Sequence, residues 1–311
     1  MTEAGTGLER AEERLLAADR AAVAKLVGVV TEADGVAPLS EDGQLALTHG
    51  RPGALHVVRR EGDSVVGYLH AGPVDESGDR TAELCVAPEA RRHGIGQALI
   101  DAALDATPGT LRIWAHGSLE AARECAAALG FAAVRELRLM ELALATDAAS
   151  HDFPPPAPEG VEIGTFRPGA DEAAWLALNA RAFAHHPEQG GWTRRDLDER
   201  IAEPWFDPAG FFLARTPAGP IGFHWTKVHP AGAYGPEPVG EIYVLGVDPA
   251  AGGRGLGRVL ALVGLRHLAQ SGLHTVVLYV DADNAAAVRL YESLGFRDRI
   301  VDTLYERRGT G

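Results

Sequence analysis

Two short glycine-rich segments are the residues of this sequence whose types and spacing most directly suggest chemistry. The first is EARRHGIGQAL at 89–99, and the second is AAGGRGLGRVL at 250–260. In each case a predicted strand leads into the glycines and a predicted helix follows. Backbone N–H groups and the positive end of a helix dipole then meet at one point, which suits an anion such as phosphate.

Glycine-rich loops of this kind have two interpretations other than phosphate binding. Either loop alone could be an ordinary glycine turn, but a matched pair makes that interpretation weaker. A dinucleotide-binding loop is disfavoured because Leu260 stands where the G-x-G-x-x-G spacing from Gly255 requires glycine.

The elements around the loops recur in the same order in both halves of the 311-residue chain, which indicates an internal repeat. The second half predicts a strand at 239–247, a helix from Leu256 that Gly272 ends, a strand at 274–280 and a helix at 283–296. The first half predicts a strand at 81–86, a helix that Pro108 and Gly109 end, a strand at 111–115 and a helix at 119–131.

The repeat keeps its register over most of its length. Val86 and Val247 lie 161 residues apart, and Gly130 and Gly295 lie 165 apart. Between the halves, HDFPPPAPEG at 151–160 contains three consecutive prolines, which exclude helix and favour extended backbone. The sequence therefore predicts an N-terminal domain at 1–150, a proline-rich linker at 151–160 and a C-terminal domain at 161–311.

Composition narrows the class of ligand. The 43 acidic residues against 29 Lys plus Arg give a formal net charge of −14, which argues against nucleic-acid or anionic-membrane partners and favours a small molecule. Only Cys85 and Cys125 occur, so neither a disulfide framework nor a cysteine-rich metal site is expected. The acidic, polar start and the lack of a long apolar run predict a cytoplasmic protein, which we expect to be a monomer.

The loops and the final helix resemble those of the GCN5-related N-acetyltransferases. Residues 91–96, RRHGIG, match the pyrophosphate loop R/Q-x-x-G-x-G/A of that superfamily. The pattern N-x-x-A-x-x-L-Y-x-x-L-G-F is matched at 284–296. The resemblance implies an α/β (α+β) fold of two tandem acetyltransferase domains, each a mixed, mostly antiparallel sheet flanked by helices. It also implies acetyl-CoA as donor and no metal.

Three further segments resemble a tandem-domain branch of the superfamily, and this resemblance covers nearly the whole chain. They are HPEQGGWT at 186–193, GFHWTKVHP at 222–230 and GEIYVLGVDPAA at 240–251. The branch implies a small-molecule acceptor, the amine of a cysteinyl-glucosaminyl-inositol. By resemblance, Glu241 is the catalytic base and Tyr291 the catalytic acid. The resemblance assigns acceptor contacts to Glu41, Glu188, Lys227, Glu241 and Tyr279.

The resemblance also implies a set of residues that bind acetyl-CoA, drawn from the strands, loops and helices around both glycine segments. In the second half they are Leu245, Gly246, Val247, Gly252, Gly253, Arg254, Gly255, Leu256, Gly257, Arg258, Asn284, Ala285, Ala286, Ala287, Val288 and Arg289. In the first half they are Leu84, Cys85, Val86, Arg91, Arg92, His93, Gly94, Ile95 and Gly96. Gly252 departs from the family pattern, which has Gln or Arg there, so lower affinity for the donor is expected.

The register of the repeat predicts which copy is catalytic. Thioester-to-amine transfer needs a base and an acid, but Glu241 aligns with Arg80, Tyr291 with Ala126 and Asn284 with Leu119. We therefore expect one catalytic site, in the C-terminal domain, and an N-terminal copy that binds acetyl-CoA without turning it over. An acetyltransferase for another small amine and a non-catalytic acyl-CoA sensor remain as alternatives. The histidines, including His224 and His229, are interpreted as packing or cleft residues.

Overall fold

The computed structural model describes residues 7–144 and 156–308, except for the side chains of residues 187 and 188. The strands are β1 (Leu8–Glu12), β2 (Leu55–Glu61), β3 (Ser64–Ala71), β4 (Arg80–Val86), β5 (Thr110–Ala115), β6 (Ala132–Ala143), β7 (Glu162–Thr165), β8 (Phe211–Thr216), β9 (Gly219–His229), β10 (Val239–Val247), β11 (Thr275–Asp281) and β12 (Arg297–Arg308). The helices are α1 (Ala17–Asp34), α2 (Glu41–His49), α3 (Ile95–Asp105), α4 (Glu120–Ala128), α5 (Glu172–Ala182), α6 (Pro187–Gly190), α7 (Arg194–Ile201), α8 (Leu256–Gln270) and α9 (Ala285–Ser293).

The described residues form two compact units. The N-terminal unit consists of residues 7–138, 281–283 and 300–308, and the C-terminal unit consists of 139–144, 156–280 and 284–299. In the first, the strand order is β1-β2-β3-β4-β5-β12, and β4 and β5 are parallel. In the second, the order is β6-β11-β10-β9-β8-β7, and β10 and β11 are parallel. Each unit thus has a mixed sheet flanked by helices, as predicted.

The units differ from the predicted domain ranges at two strands. Residues 300–308 of β12 lie in the N-terminal unit, where they pair with β5, and residues 139–143 of β6 lie in the C-terminal unit. The ranges 1–150 and 161–311 divide the chain at one place, whereas each sheet includes a strand from the other half of the sequence. Of the proline-rich stretch, 151–155 lie outside the described residues, and 156–160 contain neither helix nor strand.

The sequence around the second glycine loop folds locally as its pattern predicts. Strand β10 has the predicted bounds, and α8 begins at Leu256 because Gly255 before it takes a left-handed conformation. Buried residues along α8, among them Val259, Leu260 and Leu268, fall on one face at helical spacing. Gly272, with φ 79°, follows the helix. The helix that was predicted at 283–296 is shorter, since α9 spans only Ala285–Ser293.

The two cores differ in composition. The N-terminal unit packs mainly aliphatic side chains, such as Val57, Leu69 and Leu99, between its sheet and α1 and α3. The C-terminal unit has an aromatic cluster in which the Trp225 ring stacks on Phe211 with centroids 4.4 Å apart. No helix in the described part of the chain is both long and apolar enough to cross a membrane. Residues 7–144 and 156–308 contain no grouping of three His, Cys, Asp or Glu side chains that could hold a metal ion.

Candidate active site

Both glycine loops have a backbone shape suited to anion binding. In the second loop Gly253 (φ 79°) and Gly255 (φ 72°) are left-handed, and α8 follows directly. In the first loop the left-handed residues are Arg92 (φ 65°) and Gly94 (φ 80°), and α3 follows. The first N–H groups of a helix have no partner within it. Each loop therefore directs the backbone donors of a helix N-terminus to one point.

The glycines leave the second loop open on its outer side. A Cβ atom added to Gly253 or Gly255 would meet no atom within 4 Å. At Gly257 in the first turn of α8, an added Cβ would lie 3.9 Å from side-chain carbons of Leu290 and Val247. A phosphate group can therefore approach these N–H groups without displacing a side chain, and the loop fits the pyrophosphate of acetyl-CoA.

Strand β10 presents further backbone donors next to the loop. The Asp248 N–H donates to the Ile221 carbonyl of β9 at 2.8 Å, so Leu245 and Val247 are the positions whose N–H groups point away from β9. On that side β11 pairs with β10 only at 240–242, although β10 continues to residue 247. The two parallel strands thus separate and leave a gap into which these N–H groups point.

The first unit repeats this backbone arrangement. The Ala87 N–H donates to the Val66 carbonyl at 2.8 Å, which directs the N–H groups of Leu84 and Val86 away from β3. Strand β5 pairs with β4 only at 80–82. Both units therefore contain loop and strand N–H groups of the kind that could line a cleft for acetyl-CoA.

Glu241 lies on β10 next to the point where the strands separate. Its side chain is 8% exposed, and its Oε2 lies 2.6 Å from Nε2 of His229. Lys227 is its direct cross-strand partner on β9. The neighbouring Gly240 faces α8, where an added Cβ would touch Leu268, so Glu241 points to the opposite face of the sheet. Among the described residues, Oε1 of Glu241 has no hydrogen-bond partner.

Tyr291 lies on α9, on the face of the sheet that Gly240 and α8 share. It is buried with Leu268 and Leu278, and its ring packs edge-on against Phe296 at 5.7 Å. Burial raises the pKa of the Tyr291 phenol above its ordinary value. The hydroxyl group therefore keeps its proton at neutral pH, and within the described residues it has no hydrogen-bond partner. Glu241 and Tyr291 lie on opposite faces of the sheet.

A β-bulge corrects the predicted alignment of the two copies. The β9–β10 register shifts between Ile242 and Val244, so β10 contains one extra residue, Tyr243. Strands β3 and β4 pair without a shift. Counted from the loops, Glu241 is therefore equivalent to Thr81 and not to Arg80. Ala126 remains the counterpart of Tyr291, because α4 and α9 begin at residues 165 apart. The N-terminal unit still has no carboxylate or phenol at these two positions.

Several residues predicted to bind the donor have structural roles. The guanidinium of Arg91 holds Asp34 through two hydrogen bonds of 2.9 and 2.8 Å, and its Nε donates to the Val86 carbonyl. Asn284 caps α9 by accepting from the Ala287 N–H at 3.1 Å. These contacts give the side chains of Arg91 and Asn284 structural roles that do not depend on a bound ligand.

The other residues that are predicted to bind acetyl-CoA differ in how exposed their side chains are and in their hydrogen-bond partners. Cys85 is buried, and burial raises the pKa of its thiol to about 12. Val288 faces the core of the C-terminal unit. Arg92 bonds to Glu124, and Arg258 bonds to Ser293, both at 2.9 Å. Arg92 and Arg258 are exposed, and so are the side chains of His93, Arg254, Ala285, Ala286 and Arg289.

The residues that are predicted to contact the acceptor differ in burial and in their position in the fold. The Lys227 ammonium is buried and lies 4.3 Å from the ring centroid of Trp205 and 5.1 Å from that of Tyr243. Tyr279 is exposed on β11, on the same face as Glu241. Glu41 is the first residue of α2 in the N-terminal unit. Glu188 lies in α6, but its side chain is outside the described residues.

His229 is a residue of this site for which the sequence predicts only a packing or cleft position, without a partner. It ends β9, two residues beyond Lys227, so it lies on the same face of the sheet as Glu241. The signal that could have identified it is the hairpin register, which pairs Lys227 with Glu241 and so makes His229 a diagonal neighbour of Glu241.

The sequence matches a known acetyltransferase family in both halves. Residues 175–296 match the acetyltransferase (GNAT) family, and residues 52–133 match the acetyltransferase (GNAT) domain. A mycothiol acetyltransferase of Thermobispora bispora is 50% identical over 299 residues, which cover 96% of this chain and 99% of the relative. A mycothiol acetyltransferase of Thermomonospora curvata is 50% identical and covers 91% of this chain and 92% of its own.

Solved structures show the same fold at lower identity. A tandem GNAT protein from the clavulanic acid biosynthesis pathway superposes with a TM-score of 0.73 at 21% identity, covering 98% of this chain and 99% of its own. A GCN5-related N-acetyltransferase from Sphaerobacter thermophilus gives a TM-score of 0.64 at 24% identity, covering 97% and 95%. Two GNAT domains in tandem are therefore the architecture of this chain.

Proposed function

We propose that this chain, which belongs to the mycothiol acetyltransferase family of GNAT proteins, transfers an acetyl group from acetyl-CoA to the cysteinyl amine of desacetylmycothiol, giving mycothiol and CoA. The chain is an acetyltransferase with a small-molecule acceptor. One observation carries the assignment of the site. The buried carboxylate of Glu241 lies where β10 and β11 separate, next to backbone N–H groups that point into the gap.

Glu241 serves as the base. Its carboxylate takes a proton from the acceptor ammonium, directly or through one water, and the electron pair stays on the nitrogen. That nitrogen then attacks the thioester carbonyl carbon. Oε2 is already hydrogen-bonded to His229, so Oε1 is the oxygen that would contact the acceptor amine.

Val247 and Tyr291 act on the donor side of the reaction. The Val247 N–H points into the strand gap and would donate to the carbonyl oxygen, where negative charge develops. As the carbon–sulfur bond breaks, the sulfur takes the electron pair and Tyr291 supplies a proton to it. Burial keeps that proton on the phenol until this step. The nitrogen loses its second proton as the amide forms, and this proton restores the Tyr291 phenol, directly or through water, while Glu241 releases the first proton to solvent.

Acetyl-CoA supplies the acetyl group, and the second glycine loop would hold its pyrophosphate through backbone N–H groups. The first loop has the same left-handed pair and the same strand donors, so it would hold a second acetyl-CoA. Since Thr81 and Ala126 replace the base and the acid, we propose that the N-terminal copy binds this molecule without using it. No metal takes part in the proposed reaction.

The acceptor would contact side chains on the Glu241 face of the sheet. Lys227 lies opposite Glu241, and Tyr279 follows Val277, the partner of Glu241 on β11. We retain Glu41 and Glu188 as further proposed contacts. The proposal also takes the enzyme to be a cytoplasmic monomer without nucleic-acid or membrane partners.

Steady-state kinetics with a panel of amines tests the acceptor. The purified enzyme should acetylate desacetylmycothiol with a higher kcat/KM than glucosamine, free cysteine or a lysine peptide. A higher kcat/KM for one of the simple amines would replace this acceptor and leave the acetyltransferase assignment in place. Binding of acetyl-CoA without transfer to any amine would instead favour an acyl-CoA sensor.

A further inference from the structure

His229 holds the base from one side. Its Nε2 lies 2.6 Å from Oε2 of Glu241, and both side chains are largely buried, with exposures of 15% and 8%. The Tyr234 ring packs edge-on against the imidazole with centroids 4.9 Å apart, which restricts its rotation. The contact therefore fixes one carboxylate oxygen and orients the other.

The charge of His229 controls what Glu241 can do. With neutral imidazole the pair has one negative charge and can take a proton from an ammonium group. With imidazolium the pair is neutral overall, and the carboxylate is a weaker base because a positive charge bonds to it. Imidazole is the side-chain group that ordinarily changes its charge between about pH 5 and 8.

We propose that His229 is a positioning residue that acts through Glu241: it orients the carboxylate, and its own ionisation determines when that carboxylate serves as base. This inference rests on the proposed role of Glu241. Other ionisable or charged groups face the pair. They are Lys227 on β9, Tyr279 on β11 and Tyr234 in the β9–β10 connection. The guanidinium of Arg299, at the start of β12, lies 5.8 Å from the Tyr234 ring and is paired with Glu141.

The pH dependence of kcat in two variants separates this role from a purely structural one. His229→Gln keeps an N–H donor for Glu241 but cannot ionise, whereas His229→Phe loses both properties. We expect kcat of His229→Gln at pH 8 to stay within about tenfold of wild type, and its acid limb to move at least about one pH unit lower. His229→Phe should lose roughly 10–100-fold in kcat. His274→Gln, at an exposed histidine before β11, is the matched control.

An unchanged acid limb in His229→Gln would overturn the proposal. Equal losses in the Gln and Phe variants, without any shift of the limb, would do the same, since they would reduce His229 to a packing residue. These comparisons are made with whichever amine the wild-type enzyme acetylates, so a wrong acceptor does not decide them.

Nitrogen NMR of labelled histidine gives a readout that needs no turnover. In the full chain, Glu241→Gln should change the nitrogen chemical shifts of the His229 imidazole, because it replaces the carboxylate that lies 2.6 Å from Nε2. The shifts of the control residue His274 should not change. If Glu241→Gln leaves the His229 signals in place, the two groups are not coupled, and the proposal fails even if desacetylmycothiol proves to be the acceptor.

Discussion

The two units present the same donor-binding backbone but different side chains around it. Both have a left-handed pair in the loop and strand N–H groups directed into a gap. The C-terminal unit adds Glu241, Tyr291 and the bulge at Tyr243, where the N-terminal unit has Thr81, Ala126 and a regular β3–β4 pairing. Under the proposed function, binding of acetyl-CoA would depend on backbone that both copies keep, whereas proton transfer would depend on a few side chains that the N-terminal copy lacks.

The difference extends into the two cores. Three directly paired residues, His56, His70 and Glu83, form a buried polar row across β2, β3 and β4. The equivalent row across β8, β9 and β10 is Phe211, Trp225 and Val244. Burial lowers the pKa of His56 to about 4 and also lowers the pKa of His70, so both are neutral.

The polar row continues to β12. His116 lies between Glu83 and Asp302 of β12, at 3.0 and 2.9 Å. Burial alone would lower its pKa, but the hydrogen bonds to the two carboxylates outweigh burial and raise it to about 10. The N-terminal unit therefore holds β12 partly through a buried charged group.

The sharpest test of the comparison removes the acid and the base. Glu241→Gln and Tyr291→Phe should each lower kcat by roughly 10²–10⁴, the usual range for a positioned proton-transfer group. The Kd for acetyl-CoA should change little because the loop is untouched. Thr81→Ala, at the counterpart of Glu241, is the matched control and should leave kcat unchanged. Near-wild-type turnover in both variants would mean that the chemistry lies elsewhere.

A second test concerns the buried charge that holds β12. Asp302→Asn should lower the free energy of unfolding of the N-terminal unit by about 3 kcal/mol near pH 6.5, since it leaves a buried His116 with one carboxylate partner fewer. Because the folded-state pKa of His116 is raised, this stabilisation is complete below about pH 6.5 and is lost as the pH rises toward about 10. In the variant, the free energy of unfolding should therefore depend less strongly on pH.

Urea unfolding followed by fluorine NMR of fluorotryptophan measures this effect. Trp114 lies beside His116, with ring centroids 6.4 Å apart, and reports on the N-terminal unit. The four remaining tryptophans belong to the C-terminal unit and should show no comparable pH dependence. Asp105→Asn, at an exposed carboxylate, is the control. Equal pH dependence in Asp302→Asn and wild type would contradict this account.

A third test places the same change in both loops. Gly257 and Gly96 stand at equivalent positions, and an added Cβ at either would meet no atom nearer than 3.9 Å. Gly257→Asp should weaken acetyl-CoA binding in the catalytic copy by about tenfold or more, because a carboxylate then opposes the phosphates. Gly96→Asp should leave kcat and KM unchanged and remove one of two acetyl-CoA molecules from calorimetric titrations. Loss of turnover in Gly96→Asp would show that the silent copy takes part in catalysis.

The sequence predicted what local pattern determines. The bounds of β10, the start of α8 and the recurrence of both loops follow from glycine positions and apolar spacing. It did not predict the two strands that exchange between the units, because no local signal states which sheet edge a strand will join. The ranges 1–150 and 161–311 therefore remain a proposal, and a fragment ending at 150 would lack the strand that covers β5.

For the site, the sequence identified individual residues but not their neighbours. Glu241 and Tyr291 were assigned by resemblance, and the structure places them on opposite faces of one sheet. The pairing of His229 with Glu241 depends on the register between β9 and β10. The equivalence of Glu241 to Thr81 depends on a bulge of one residue, which a count along the chain cannot detect.

The smallest expected effect concerns the one loop residue that departs from the family pattern. Gly252 and Arg91 have nearly the same backbone, with φ −62° and ψ 166° against φ −68° and ψ 159°. An added Cβ at Gly252 would meet only the Pro249 carbonyl oxygen, at 3.2 Å. Gly252→Arg should therefore fold and place a positive charge at the rim of the loop. Because that charge is exposed, it should tighten acetyl-CoA binding by only about two- to fivefold.

The charge of the new side chain, and not its size, should cause this gain. Gly252→Gln should bind acetyl-CoA as wild type does, and the advantage of Gly252→Arg should disappear at about 0.5 M salt, where exposed charges are screened. The value of kcat should not change, because Glu241 and Tyr291 are untouched. The reverse change, Arg91→Gly, should instead destabilise the N-terminal unit, since Arg91 holds Asp34 at the end of α1. If Gly252→Arg leaves affinity unchanged at low salt, the backbone donors already supply all the binding that this loop can provide, and the missing side chain costs the catalytic copy nothing.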